Sequence, residues 1–226
     1  MRAFVPFGLA LLVATTAFAA NPPSPEEALR QAQKNGTPMG TVTPVFSQLV
    51  RFAVPANFHG VTQATKGNFF ILEMVPLGET KERWTQMITL TGIQGMATAP
   101  NATPRAVASN IGGGFQKACP ETFAAGLLGP LHTGGNEPQE GFALLSSCGS
   151  VKAAAGDHSE TSLIIAIKGT NDYYTLQWAE RGPGQAGKIE LKDPKWLSRL
   201  SSLGPIVLCP IVPGEKAPYP SCTEQK

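Results

Sequence analysis

The 226-residue sequence is poor in charge, since only 15% of its residues are Asp, Glu, Lys or Arg, against about 25% in a typical soluble domain. Its 18 basic and 16 acidic residues leave a net charge of +2, which is too small to indicate nucleic acid or an anionic membrane as the main partner. The 24 glycines and 20 prolines argue against a helical bundle, a coiled coil or a solenoid. The apolar fraction of 42% still allows a hydrophobic core, so we expect one loop-rich domain of ordinary size.

Long apolar runs are missing after residue 19, but a short one lies at the N-terminus. Arg2 supplies a positive charge, residues 4–18 are almost entirely apolar, and Ala17-Phe18-Ala19 is an A-x-A cleavage site. This pattern is typical of a secretory signal peptide, because the apolar part is shorter than the roughly 20 residues that span a bilayer. We expect cleavage after Ala19 and a periplasmic or secreted protein with no transmembrane segment.

Four cysteines, Cys119, Cys148, Cys209 and Cys222, lie in the predicted mature chain. In an oxidising compartment an even number predicts two disulfides, which four cysteines can form in three ways. We expect Cys119 to pair with Cys148 and Cys209 with Cys222, which closes one loop in the body and one in the tail. The sequence has no C-x-x-C pair and no histidine at ligand spacing, which argues against a zinc site.

Local patterns predict an α+β fold. A capping residue followed by proline marks three helix starts, at Ser24-Pro25, Thr103-Pro104 and Asp193-Pro194. Segments with alternating apolar positions or β-branched and aromatic residues predict strands, and they are 46–54, 67–75, 84–91, 141–151, 162–169 and 173–181. Because strands and helices do not alternate as βαβ units, we expect an antiparallel sheet with two or three flanking helices, stapled by the two disulfides.

The same patterns divide the chain into four parts. We assign residues 1–19 to the signal peptide and 20–44 to a flexible lead-in with a short helix. Residues 45–204 form the α+β domain, and 205–226 form a proline-rich tail pinned by its disulfide. A glycine run, 112–114, falls inside the second predicted helix. Because each glycine costs about 1 kcal/mol in a helix interior, we expect either a broken helix or very close packing there.

Complete catalytic motifs are missing. Gly182–Lys188 matches seven positions of a phosphate-binding loop, but Ile189 stands where a Ser or Thr would hold magnesium, so we interpret this segment as a turn. His59, His132 and His158 are widely separated, and no G-x-S-x-G elbow is present. We therefore assign no catalytic residue, metal or cofactor.

Trp84 has two interpretations. We expect it to lie in the core, at the start of an apolar set with Ile88 and Leu90. The alternative is a ligand groove formed by Glu79, Trp84 and His132.

One stretch is similar to a known family. Phe52-Ala-Val-Pro-Ala-Asn-Phe58 followed by the strand Phe69–Val75 resembles the opening of PsbP-like domains and their bacterial relatives. Gly78-Glu79-Thr80 with Trp84-Thr-Gln-Met87 resembles a signature of small uncharacterised exported proteobacterial proteins. The resemblance covers a small part of the chain, and it implies an antiparallel sheet with flanking helices and an accessory, non-enzymatic role.

These observations favour an exported, soluble accessory or binding protein of the cell envelope, without evident catalysis and monomeric. Its partner would be an envelope protein, a small molecule or a polymer. Two alternatives stay open. One is a small periplasmic hydrolase acting on envelope polymers or peptides, and the other is a secreted effector or inhibitor.

Overall fold

The structure, a computed structural model, describes residues 24–152 and 156–224. The predicted signal peptide and its cleavage site lie outside this part of the chain. The helices are α1 (Pro25–Asn35), α2 (Pro104–Ala118), α3 (Lys195–Ser202) and α4 (Pro220–Thr223), with a 3-10 turn at Met96–Thr98. The strands are β1 (Pro38–Val45), β2 (Gln48–Pro55), β3 (Phe58–Lys66), β4 (Phe69–Pro76), β5 (Gln86–Ile93), β6 (Phe123–His132), β7 (Glu140–Val151), β8 (His158–Lys168), β9 (Tyr173–Pro183) and β10 (Val207–Pro210).

The strands form two antiparallel sheets. The larger has seven strands in the order β3-β4-β5-β9-β8-β7-β6, and the smaller has three in the order β1-β2-β10. The α+β class, the antiparallel sheet with flanking helices and the two disulfides are therefore confirmed. The predicted starts of α1 and α2 are also confirmed, at Pro25 and Pro104, and α3 begins one residue later than predicted, at Lys195 with Pro194 as its N-cap.

The two faces of the larger sheet are covered by different elements. On one face, the smaller sheet and α3 bury a core that includes Phe52, Trp178 and Trp196. On the other face, α2 packs mainly against β7 and β8 and to a lesser extent against β6, so that Val107 and Ile164 share a second core cluster. Because α2 lies over one half of this face, β9, β5 and β4 form a half that the helix leaves more open.

The smaller sheet crosses both predicted boundaries of the α+β domain. β1, from the predicted lead-in, and β10, from the predicted tail, pair with opposite edges of β2. Residues 38–44 and 207–210 are thus part of the folded sheet rather than of a lead-in and a tail. The β1–β2 turn consists of Phe46 and Ser47, and Phe46 has φ 51°. This left-handed conformation is usually taken by glycine or asparagine, so the sequence carries no recognisable signal for the hairpin.

The apolar pattern also does not predict β3 and β6, which are the two edge strands of the larger sheet. Each contains a bulge, between Gly60 and Thr62 in β3 and between Leu127 and Gly129 in β6. A bulge shifts the strand by one residue relative to its partner and therefore interrupts the alternation of inward and outward side chains. Neither edge strand therefore keeps a clean period of two along its whole length.

The glycine run does not break α2. Thr103 Oγ1 accepts a hydrogen bond from the Ala106 amide at 3.2 Å, and the helix then continues through the glycines to Ala118. A methyl group at Gly112 would lie 3.4 Å from Ser146 Oγ on β7, whereas nothing lies within 4 Å of one at Gly113 or Gly114. Close packing thus accounts for the first glycine and not for the other two.

We expect the double variant Gly113→Ala/Gly114→Ala to be more stable than the parent by about 1–2 kcal/mol, because alanine is favoured over glycine by about 0.8–1.0 kcal/mol in a helix interior. Urea unfolding followed by circular dichroism measures the difference. Gly112→Ala is the matched control, since its new contact with Ser146 should reduce the gain. A double variant no more stable than the parent would contradict this account of α2.

Both disulfides join the predicted pairs. Cys119–Cys148 connects the end of α2 to β7, and Cys209–Cys222 connects β10 to α4. Such bonds indicate an oxidising, extracytoplasmic compartment. Among the described residues, no helix is long and apolar enough to cross a membrane.

Candidate functional site

A cavity of about 520 Å³ lies where α2 meets the more open half of the larger sheet. Its floor is formed by side chains of β4, β5 and β9, which are Phe69, Thr91, Ile93, Thr175 and Gln177. Its walls come from α2, from the 3-10 turn and from the segment that joins the two, and they include Met96, Asn101, Ala106, Asn110 and Ile111.

The register of the sheet explains why the cavity is there. Directly paired residues of antiparallel strands point to the same face, so that Phe142, Ala166, Thr175 and Thr91 form one row across β7, β8, β9 and β5. Phe142 and Ala166 belong to the hydrophobic cluster under α2. Thr175 and Thr91, the next two residues of the row, lie beyond the helix and form part of the cavity floor. The Tyr173 hydroxyl, which donates to the Ala102 carbonyl at 2.9 Å, fixes the segment before α2 above this floor.

The cavity has an uncharged lining. Apolar side chains such as Ile93, Val107 and Ile111 make up most of the surface, and the polar groups are threonine hydroxyls and side-chain amides. None of the described residues that line it is charged. A pocket of this size, mostly apolar with a few polar groups, is typical of a site for a small molecule. Because an ionic ligand would find no countercharge here, the lining favours an uncharged one.

Trp84 lies outside the core, and its predicted burial there is wrong. β5 begins at Gln86, after Trp84, and Trp84 is half-buried with its ring 3.7 Å from the Arg181 guanidinium. The core position opposite Ile88 is occupied by Trp178 of β9.

Trp84 and Glu79 line the same open surface cavity, of about 450 Å³, together with His158 and Arg181. Two of these groups contact Glu160 of β8: Arg181 Nε donates to Glu160 Oε2 at 2.9 Å, and His158 Nε2 lies 3.6 Å from the same oxygen. Both carboxylate oxygens of Glu79 accept hydrogen bonds from Thr85, each at 2.7 Å. Glu79 and Trp84 of the predicted groove therefore lie at the same cavity, but both carboxylate oxygens of Glu79 already have a partner.

His132 does not join this groove. It is the last residue of β6, opposite Glu140 of β7, and β9, β8 and β7 separate β6 from β5. The proposed grouping of Glu79, Trp84 and His132 therefore fails at the histidine, because the sequence does not reveal that β6 lies at one edge of the sheet.

The described residues form neither a phosphate-binding loop nor a metal centre. In the part of the chain that the structure describes, no helix follows Gly182–Lys188 until α3, although a phosphate-binding loop requires one directly after it. The described residues also contain no group of three or more His, Cys, Asp or Glu placed to hold a metal ion.

Comparison with protein-family models and with curated proteins finds no match. Among solved structures, the chain is similar to a crystal structure from Bacteroides thetaiotaomicron VPI-5482 at 1.50 Å resolution, with 12% sequence identity and a TM-score of 0.32. The match covers 74% of this chain and 47% of that one, so the chain spans about half of that protein's length. The resemblance to PsbP-like domains stays a prediction.

Proposed function

We propose that this chain is an exported, non-catalytic binding protein of the cell envelope, which holds an uncharged and largely apolar small molecule between α2 and the β5–β9 strand pair. The observation that carries the proposal is the 520 Å³ cavity with its apolar, uncharged lining, which falls in the usual volume range for small-molecule sites, about 300–1,000 Å³. An accessory role, which the PsbP-like resemblance implies, agrees with binding rather than turnover.

The construction of the cavity supports this proposal. Its floor lies on three neighbouring strands of the larger sheet, and one wall lies on α2, whose C-terminal end is bonded to β7 through Cys119–Cys148. Sites on packed secondary structure lose little conformational freedom when a ligand binds, which favours affinity. Binding therefore requires little ordering of the protein.

The hydrolase alternative has weaker support. It requires an acid or base within hydrogen-bond reach of the scissile group, and none of the described residues lining the α2 cavity is charged. Glu79 and His158 do share the open surface cavity, but Glu79 is engaged by Thr85 through both oxygens and His158 lies beside the Arg181–Glu160 ion pair. The Arg181–Glu160 ion pair joins neighbouring positions of β9 and β8.

We expect the protein to bind N-phenyl-1-naphthylamine, an uncharged apolar fluorophore, at one site, with a rise in fluorescence. Ala106 lies on the cavity wall and is exposed, so Ala106→Phe should fill the space without disturbing the core. We expect this variant to lose about tenfold in affinity, which corresponds to about 1.4 kcal/mol. Fluorescence titration measures both affinities.

Ser109→Phe is the matched control, because Ser109 is exposed on the same helix and does not line the cavity. This variant should bind the fluorophore as the parent does. Absence of binding to the parent, or equal affinities for the two phenylalanine variants, would refute the proposed function.

A further inference from the structure

The floor of the cavity contains a pair of buried hydroxyls. Thr91 and Thr175 are directly opposite each other on β5 and β9, and their Oγ1 atoms are 2.6 Å apart. Thr91 is 8% exposed and Thr175 is 2% exposed, yet both line the cavity. The two side chains are therefore held by the sheet at the floor of the cavity, with little of their surface exposed.

Counting protons shows what this pair lacks. Two hydroxyls have two protons, and a single hydrogen bond between them uses one. Among the described residues, neither threonine side chain has a second hydrogen-bond partner, so the second proton has no acceptor in the protein. The proton can be donated to water in the cavity, and a ligand that displaces this water must supply another acceptor, because a buried donor left without a partner costs about 1–3 kcal/mol.

We infer that the ligand of this cavity carries a neutral carbonyl oxygen, which accepts a hydrogen bond from the Thr91–Thr175 hydroxyl pair. This inference rests on the proposed function and narrows it to one chemical class: apolar ketones, esters or amides. A carboxylate is disfavoured, because the described lining has no cation to compensate its charge. Gln177, two residues from Thr175 on the same floor, supplies an amide N–H₂ that offers such an oxygen a second donor.

If the threonine pair had only a structural role, a different result would be expected from its removal. Threonine pairs across antiparallel strands add about 0.2–1 kcal/mol to sheet stability, and their removal would then change stability without changing which ligands bind. The test must therefore measure ligand selectivity rather than stability.

The experiment compares two uncharged fluorophores, the acylated dimethylaminonaphthalene Prodan and its analogue with CH₂ in place of the carbonyl. We expect the parent to prefer Prodan by about tenfold, the equivalent of about 1.4 kcal/mol. The variant Thr91→Val/Thr175→Val should lose most of this preference, with Gln177 as the remaining donor, because it removes both hydroxyls and leaves two apolar groups of the same shape, which can be nearly neutral for stability. Thr89→Val is the matched control, since Thr89 lies on the same face of β5 outside the cavity, and it should keep the preference.

A second readout needs no variant, because the emission of Prodan moves to longer wavelength when its carbonyl accepts a hydrogen bond. We expect this shifted emission from Prodan bound to the parent. Equal affinities of the parent for both fluorophores, or bound emission typical of a carbonyl without a donor, would overturn the inference and leave the proposed function intact. Failure of both fluorophores to bind would overturn the proposed function itself.

Discussion

Replacement of Trp178 by alanine is expected to lower the free energy of unfolding by about 3–5 kcal/mol, the usual range for a large core aromatic. Trp178 is 1% exposed, packs edge-to-face with Phe58 at 5.8 Å, and donates from Nε1 to Gln86 Oε1 at 3.0 Å. The Arg199 guanidinium of α3 also lies 4.4 Å from its ring centre. The variant therefore loses core packing, a hydrogen bond and an anchor of α3 together.

The matched control is the same substitution at Trp84. Its ring contacts the partly exposed Arg181 guanidinium, and a cation–π contact at a solvent-accessible site contributes about 0.5–1 kcal/mol. Urea unfolding followed by circular dichroism measures both losses. In thermal melts, a loss of 3–5 kcal/mol corresponds to roughly ten degrees or more. Equal losses for the two variants, or a larger one at Trp84, would contradict the placement of the two indoles.

Asp172→Asn is expected to lower the free energy of unfolding by about 2–4 kcal/mol, because it leaves buried donors without their charged acceptor. Asp172 is 2% exposed and joins three separate segments. Its Oδ2 accepts from the Ser47 amide at 2.9 Å and from the Ser47 hydroxyl, and its Oδ1 accepts from the Gly95 amide at 2.7 Å. An asparagine amide cannot accept at both positions.

The effect of this substitution should depend on pH. Burial raises the pKa of Asp172, but the hydrogen bonds from Ser47 and Gly95 outweigh burial, so its pKa lies below the ordinary value for an aspartate. A carboxylate with a lowered pKa contributes stability above the unfolded-state pKa, about 3.9, and loses it as the pH falls through the folded-state value. The difference in the free energy of unfolding between the parent and Asp172→Asn should therefore be largest at neutral pH and should decrease below about pH 4.

Asp157→Asn is the control for both measurements, because Asp157 is exposed. It should leave stability close to that of the parent at neutral pH. A neutral-pH loss at Asp172 no larger than that at Asp157 would mean that the three segments are not held together through this carboxylate.

The sequence predicts those elements whose signals are local. Thr103 and Pro104 mark the start of α2, and the apolar strands β7, β8 and β9 lie within a few residues of their predicted positions. The elements that the sequence does not predict depend on partners far away in the chain. β10 is a strand because β2 lies beside it, and β1 is reached through a turn with an unusual residue, Phe46.

The candidate site could not be predicted for the same reason. Its central pair, Thr91 and Thr175, is separated by 84 positions in the chain, and threonine is an ordinary residue in any strand. Neither threonine is distinctive locally, because Thr89 of β5 and Gln177 of β9 are also polar and lie on the same face. Likewise, Trp84 and Trp178 both lie in or beside apolar segments, and only the strand order shows that Trp178 is on the central strand, β9.

The bulged edges of the larger sheet have a consequence for behaviour at high concentration. A straight edge strand presents a row of free amides and carbonyls, to which a second chain can add its own strand and begin a fibril. In β3 and β6 the bulges interrupt this row, and in β6 Pro130 removes one donor entirely. The fold thus exposes two sheet ends that resist templated aggregation, even though its central strands are among the most apolar segments of the chain.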